Sequence, residues 1–459
     1  MKILVFGAGY VGLTTAVVMA SKNRVTLLET DAKKRDMIES GVPPFFEKEI
    51  GDSLRFVVSN GNLVTIDPER TLTTHDFVII CVGTPSKKDG SVDLIQLDSA
   101  VSHIDSQFDN LLSGHLVIVN RSTVPPGTTR INILRKLAEH HSTADFGVVF
   151  NPEFLRQGSA INDLSNPDRI IIGGSDSSTI EKYQSLCSTF LTCPTTPIVK
   201  MSLESAELSK YASNCFLATK ISFANEISSI AEKLENIDID IVMDSVAMDH
   251  RICPSHLKAG LGFGGSCLPK DLSSLISLGN HLNLSMNLLR AVDDINNQTV
   301  YKLLNLIQDL DSEIKSNKVA VLGLTFKKGT DDTRSSFSID LINHLVKMGA
   351  FVFAHDPVAN NETLDESTRN SFTRCSSISD CTDDALAVFL MTDWDIYEQT
   401  GLDLLTKNMR HRVFVDARRL FANSEIPSEI DYRCLGSIYF DRKVESTSNH
   451  STTSFENKK

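Results

Sequence analysis

Short apolar runs recur along the first two hundred positions, each bounded by glycine or polar residues, at 3–6, 25–28, 77–82, 116–119, 147–150 and 170–172. Runs of this length predict buried β-strands. The stretches between them are more polar or carry apolar residues at helical spacing, so strands and helices alternate. That alternation predicts an α/β layer built on a doubly wound parallel sheet over about residues 1–200.

From 202 to about 236 the pattern changes to a run without proline or glycine, with Leu208, Ala212, Leu217, Ile221, Ala224 and Ile227 close to helical spacing. It predicts one long helix that bridges domains or buries a face against a partner. The strand, turn, helix, strand rhythm returns at 318–329 and 351–357, with later strands at 387–391 and 413–415. The chain therefore divides into an α/β unit over 1–200, a central helical region over 201–300 and a second α/β unit over 301–442. The polar tail, 443–459, is expected to be disordered.

Composition narrows the class of function. The chain has 459 residues, 41% of them hydrophobic and 22% charged, which suits two or three globular domains. A formal charge of -13 excludes a chain-wide cationic field for nucleic acid or an anionic membrane, so any anionic ligand must meet a local site. Nine cysteines without a C-x-x-C pair argue against a disulfide framework or a zinc ribbon, predict no metal and fit a reducing, cytoplasmic setting. Lys2 ahead of the uncharged run 3–20 imitates a secretory signal. The glycines inside that run have another explanation.

Gly7, Gly9 and Gly12 follow a predicted strand and open a predicted helix, with Tyr10 and Val11 between the last two. In that context the spacing marks a Rossmann-like dinucleotide site, where glycines let the backbone approach a pyrophosphate held at a helix N-terminus. Glu29, at the end of the next strand, is placed to bind both ribose hydroxyls and to repel the extra phosphate of NADP, so the predicted cofactor is NAD. Lys33 and Lys34 stand nearby; a plain solvated helix charge is the alternative for each. The second α/β unit lacks the glycine spacing, so its ligand should differ.

The run GFGGSCLPKD at 262–271 sets Cys267 just before a helix start at Pro269, where the helix dipole favours a thiolate. A thiol beside a hydride acceptor suggests aldehyde oxidation through a thiohemiacetal and a thioester. Lys210 and Asn214, four apart on the long helix, share a face and could together stabilise an oxyanion. Taken singly, each of these residues has a plain structural reading: a buried thiol, a helix-start acid at Asp271, a solvated helix edge, a loop carboxylate at Glu153.

The segments GAGYVGL, CVGTP, STVPPGTT, NPEFLRQG, NPDR, ELSKYASN, FGGSCLPKD and DTR, in this order and spacing, resemble the nucleotide-sugar 6-dehydrogenases of the UDP-glucose/GDP-mannose dehydrogenase family over roughly residues 1–430. The resemblance implies two Rossmann-like domains joined by a long central helix and a helical dimerisation region, working as a homodimer. It implies a four-electron oxidation of a sugar 6-hydroxyl to a carboxylate with two NAD and one water, and Cys267 as nucleophile. By the same resemblance Thr123 and Asp271 hold a water, Glu153 is a general base, and Lys210 and Asn214 lie against the reacting oxygen. Tyr10, Val11, Lys34, Thr84, Thr123 and Arg334 fall on the cofactor side. Phe154, Leu155, Lys258, Gly264, Lys327 and Arg418 fall on the sugar-nucleotide side, and Arg251 corresponds to a residue reaching into the neighbouring subunit's site. NPDR and the run 249–267 point within the family to UDP-glucose as substrate. GDP-mannose, UDP-N-acetylhexosamines and a catalytically silent NAD-binding protein are the alternatives. One position departs from the family: Gln157 replaces a second acid, and an amide cannot take a proton at neutral pH.

Overall fold

The computed structural model describes residues 1–112, 114–359 and 364–437. The tail expected to be disordered lies outside the described residues. Among the described residues the chain forms two sheets. The first contains β1 (Lys2–Phe6), β2 (Arg24–Leu28), β3 (Leu63–Ile66), β4 (Phe77–Ile80), β5 (Leu116–Asn120), β6 (Phe146–Phe150), β7 (Ile170–Gly174) and β8 (Ile198–Met201), in the order β3-β2-β1-β4-β5-β6-β7-β8. The second contains β9 (Lys318–Leu322), β10 (Phe351–His355), β11 (Thr373–Arg374), β12 (Ala387–Leu390), β13 (Val413–Asp416) and β14 (Asp431–Cys434), in the order β11-β10-β9-β12-β13-β14. Both contain the doubly wound 3-2-1-4-5-6 order, with a switch point beside the first strand of each sheet, where such folds hold ligands.

Burial explains why these runs become strands. β4, β5 and β6 are buried at every position, and the apolar side chains on their two faces feed two separate core clusters. The sheet is not wholly parallel, however. β7 pairs antiparallel with β6 through Val149 with Gly174 and Phe150 with Gly173. The segment 151–169 carries only the short helix Ala160–Ser165, which does not cross the sheet face, so the chain stays at the C-terminal edge of β6 and turns back there.

Between the sheets runs the central helix, Leu203–Ala231, 29 residues long, with Ser202 capping its start by accepting from Ser205 N at 3.2 Å. It packs against the helix Leu268–His281 and the helix Asn287–Asn297. The expected apolar face is only partly the buried one. Ala224 is buried, but Leu208 and Ala212 face solvent together with Phe216, Phe223 and Ile230. The buried face carries Glu207, Lys210, Tyr211, Asn214 and Cys215 instead, which a search for apolar periodicity does not find.

Candidate active site

The first functional turn lies at the C-terminal end of β1. Gly7 has φ +91°, and its N–H donates to Leu28 O at 2.8 Å. A Cβ on Gly12 would lie 1.9 Å from Gly7 O, so only glycine lets the helix Tyr10–Ala20 sit this close to the strand. Gly9 opens onto free space, with no heavy atom within 4 Å of the place a Cβ would occupy, and it caps the helix without a side-chain bond. The unpaired first-turn amides therefore face an open cradle that fits a pyrophosphate. Glu29 Oε2 accepts from Ala8 N at 2.7 Å, and Oε1 accepts from Asp31 N at 2.9 Å and the Thr30 hydroxyl at 3.2 Å. A carboxylate has about four acceptor positions, which leaves Oε2 one for a ribose hydroxyl. The residues fit NAD. Val11 packs on the core below. Tyr10 turns its hydroxyl to Glu47 Oε2 at 2.5 Å, and the half-buried Lys34 donates its backbone N–H to Asp31, the N-cap of its helix.

Four elements bring the chemical residues together. Glu153 follows β6, Lys210 and Asn214 come from the central helix, and Cys267 caps the helix Leu268–His281, whose first turn holds Asp271. Lys210 Nζ donates to Glu153 Oε1 at 2.9 Å and to the Glu153 carbonyl at 2.6 Å. Asn214 Nδ2 donates to Asp271 Oδ2 at 2.6 Å, and Lys270 Nζ donates to Asp271 Oδ1 at 2.7 Å. Glu153 Oε2 also accepts from Leu155 N at 2.8 Å. Each hydrogen bond leaves capacity over: one ammonium proton on Lys210, one amide proton on Asn214 and one lone pair on each Asp271 oxygen.

The Cys267 thiol is solvent-accessible, yet it sits within a cleft whose walls displace most of the water around it. Burial pushes this thiol up, the Glu153 and Asp271 carboxylates add to the effect, and Lys210 opposes them; the balance leaves it above the ordinary thiol value. The helix dipole expected to favour the thiolate is thus outweighed in the free protein. Burial pushes Glu153 up too, but the Lys210 charge and hydrogen bond more than reverse it, holding the carboxyl below its usual range. Burial lowers Lys210, and the charges of Glu153, Cys267 and Asp271 outweigh that, so the pair is ionised.

The remaining expected residues fall into three groups. Thr84 donates its hydroxyl to the Thr123 carbonyl at 2.9 Å, joining the β4 and β5 ends on the cofactor side. Phe154 lies under two cations, Arg169 at 4.4 Å and Lys210 at 5.2 Å from its ring centre. Arg334 and Lys327 reach the cleft from the loop 323–336, where a thiolate at Cys267 would act on both. Arg418 donates to the carbonyls of Met391 and Phe326, and Gly264 packs so closely on this unit that a Cβ would lie 2.3 Å from Ser335 O. Lys258 and Arg251 are exposed, and Arg251 is paired with Asp249 outside the cluster of its own chain.

Sequence reasoning missed several members. Lys270 neutralises Asp271; its place next to a helix-start acid was the available signal. Arg121 is buried, donates to Asn151 Oδ1, and its charge acts on Glu153 from below. Gln157, singled out for what it lacks, uses its amide on Thr330 and Asp332 of the C-terminal unit.

Known proteins resemble this chain along most of its length. Family models described as the NAD binding, central and UDP binding domains of the UDP-glucose/GDP-mannose dehydrogenase family match residues 1–191, 204–298 and 320–423. The chain is 36% identical to the UDP-glucose 6-dehydrogenase TuaD of Bacillus subtilis over 432 residues, covering 93% of this chain and 90% of that one. It is 34% identical to the UDP-glucose 6-dehydrogenase of Pseudomonas aeruginosa over 449 residues, covering 96% of each. Among solved structures, a UDP-glucose dehydrogenase from Pyrobaculum islandicum superposes with TM-score 0.83 at 33% identity, covering 95% of this chain and 98% of that one. A UDP-D-ManNAc dehydrogenase from Pyrococcus horikoshii also gives 0.83, at 27% identity, covering 95% and 99%. With three domain models in register along one chain and relatives matched almost end to end, this protein belongs to the UDP-glucose/GDP-mannose dehydrogenase family, the NAD-dependent dehydrogenases of nucleotide sugars.

Proposed function

We propose that this chain oxidises UDP-glucose at its 6-hydroxyl to UDP-glucuronate, with Cys267 as the nucleophile. The observation that carries the reading is the hydrogen-bonded set Lys210–Glu153 and Asn214–Asp271, with the exposed Cys267 at the start of the helix that holds Asp271. NAD, when bound, accepts a hydride in each of two oxidations. The protein's own residues do the rest. The spare Lys210 and Asn214 protons point donors at the reacting oxygen, where negative charge develops when the thiol adds to the aldehyde. As sulfur bonds to the aldehyde carbon, the carbon–oxygen π bond opens and the thiol proton passes to that oxygen, giving a thiohemiacetal whose hydroxyl proton Glu153 takes when the second hydride leaves. Loss of the second hydride turns the thiohemiacetal into a thioester, and water then breaks the carbon–sulfur bond to give the acid and return the thiol. Glu153 and Asp271, each with lone pairs to spare, are the acceptors for the water proton, since Gln157 is an amide. Thr123, at the β5 end, joins Asp271 as holder of that water. The division into domains at about 200, 300 and 442 belongs to the same reading, with Lys327 and Arg418 supplying cations for the diphosphate and Lys258 and the loop 260–265 flanking it.

A homodimer is the second part of the proposal. The exposed row Leu208, Phe216, Phe223 and Ile230 runs along one side of the central helix, and such a row in an acidic chain suits burial against a second copy. Arg251, free of its own chain's cluster, then has the neighbouring site within its scope.

The UDP-N-acetylmannosamine reading is favoured by one observation, the equal TM-score of the Pyrococcus horikoshii structure. A panel of UDP-glucose, UDP-N-acetylmannosamine, UDP-N-acetylgalactosamine and GDP-mannose, ranked by kcat/KM for NADH release, decides the substrate. UDP-glucose is expected to lead by about a hundredfold, the scale on which one substituent is discriminated in a binding site. A lead for any other sugar replaces the substrate assignment, and no release from all four rejects the enzyme.

A further inference from the structure

Gln157 closes the turn after the Glu153 segment, facing the loop 323–336 of the C-terminal unit. Three hydrogen bonds cross the boundary at this residue. Its carbonyl accepts from Lys327 Nζ at 2.7 Å, its Oε1 accepts from the Thr330 hydroxyl at 2.8 Å, and its Nε2 donates to Asp332 Oδ2 at 3.1 Å. Next to it the backbones meet, since a Cβ on Gly158 would lie 3.2 Å from Gly329 O. The Thr330 oxygen accepts from Asp332 N at 3.2 Å, so its single proton is committed to Gln157.

Asp332 also receives the Arg334 guanidinium, Nε on Oδ1 at 2.9 Å and Nη2 on Oδ2 at 2.7 Å. Arg334 in turn accepts Gly265 N at its carbonyl, 3.1 Å away and two residues before Cys267. A continuous run of contacts therefore links the turn after Glu153, through Gln157 and Asp332, to Arg334 and the cysteine loop.

Resting on the reading of this cleft as the place of sugar oxidation, we propose that Gln157 is a positioning residue whose neutral amide straps the two α/β units together and holds Asp332, and with it Arg334, in register with Cys267. The polarity of the site is specific: Thr330 requires an acceptor and Asp332 a donor, which one amide supplies and an ionised carboxylate does not. A glutamate there would put two carboxylates in hydrogen-bond contact, a pair that holds together only while it shares a proton. The strap would then close at low pH and part at high pH. Arg334, Lys327 and Arg156 on the cationic side and Asp331, Glu47 and Asp163 on the acidic side face this junction in wild type and variant alike.

The test compares wild type, Gln157→Glu and Gln157→Met from about pH 5 to about pH 9, by NADH release at saturating NAD and UDP-glucose and by melting temperature. Gln157→Glu is expected to approach the wild-type rate at the acid end and to fall roughly tenfold below it at the alkaline end, its melting deficit widening in step, whereas Gln157→Met loses the same factor at every pH. A ratio of Gln157→Glu to wild type that stays flat with pH in both measurements overturns the strap. Failure of the wild type to release NADH from any nucleotide sugar defeats the functional reading instead, and the pH course of the melting temperatures still decides the strap.

Discussion

Cys267 is a thiol whose surroundings hold its proton until they are changed. Burial acts first, then Glu153, with Lys210 against them. Because the folded value lies above the ordinary one, the thiolate fraction rises only as pH climbs through that raised value. Alkylation by iodoacetamide, followed on the peptide carrying Cys267 to separate it from the exposed Cys193 and Cys253, should show a midpoint above that of a free thiol. Glu153→Gln should move the midpoint down and Lys210→Met should move it up, and shifts of the opposite sign contradict the electrostatic account. These substitutions also break a buried ion pair, so each is expected to cost about 3–5 kcal/mol of stability, read from denaturant midpoints. Cys267, its helix start and the Lys210–Asn214 face were legible in the sequence, because each rests on local spacing. Arg121 was not: a buried cation is set by what the tertiary fold brings to it, here Asn151, whereas the half-buried Lys270 went unread although its partner Asp271 is its neighbour in sequence.

The elements tell the same story one level up. Every strand read from an apolar run exists, and the four that went unread, β3, β8, β11 and β14, are the outer strands of the two sheets. An outer strand has one paired edge and need not be apolar on both faces; β8 has no fully buried residue and β11 is two residues long. The antiparallel pairing of β7 with β6 was equally invisible, since it depends on where the intervening chain goes. The glycine turn is the most legible element, and its glycines have separable roles. Gly12→Ala forces a Cβ into Gly7 O and should destabilise the protein by about 1–3 kcal/mol. Gly9→Ala meets nothing in the protein, so its melting temperature should stay near wild type while NAD affinity falls, because the methyl occupies the cradle. Calorimetric titration with NAD beside a thermal melt separates the two; equal destabilisation by both would deny that Gly9 faces a ligand.

For the whole molecule, the alternation of strands and helices announced two α/β units, and the change of pattern near residue 202 announced the helix between them. The orientation of that helix was not legible. Its exposed row of Leu208, Phe216, Phe223 and Ile230 is apolar, and its buried face holds Lys210 and Asn214, the reverse of the usual arrangement. A helix whose polar side chains are turned inward leaves its apolar side uncovered, and under the proposed dimer a second copy covers it. Phe223→Asp should therefore convert a dimer to a monomer in sedimentation velocity, with little change in helix content; an unchanged sedimentation coefficient removes the central helix from the interface.

The central proposal is that the Cys267 sulfur holds the sugar carbon between two oxidations. The direct measurement is the number of NADH molecules released for each UDP-glucose consumed, by wild type and by Cys267→Ser. Two per sugar from wild type, with acid formation nearly abolished in the serine variant, is the predicted result. One NADH per sugar, or full acid production with serine at 267, contradicts the account.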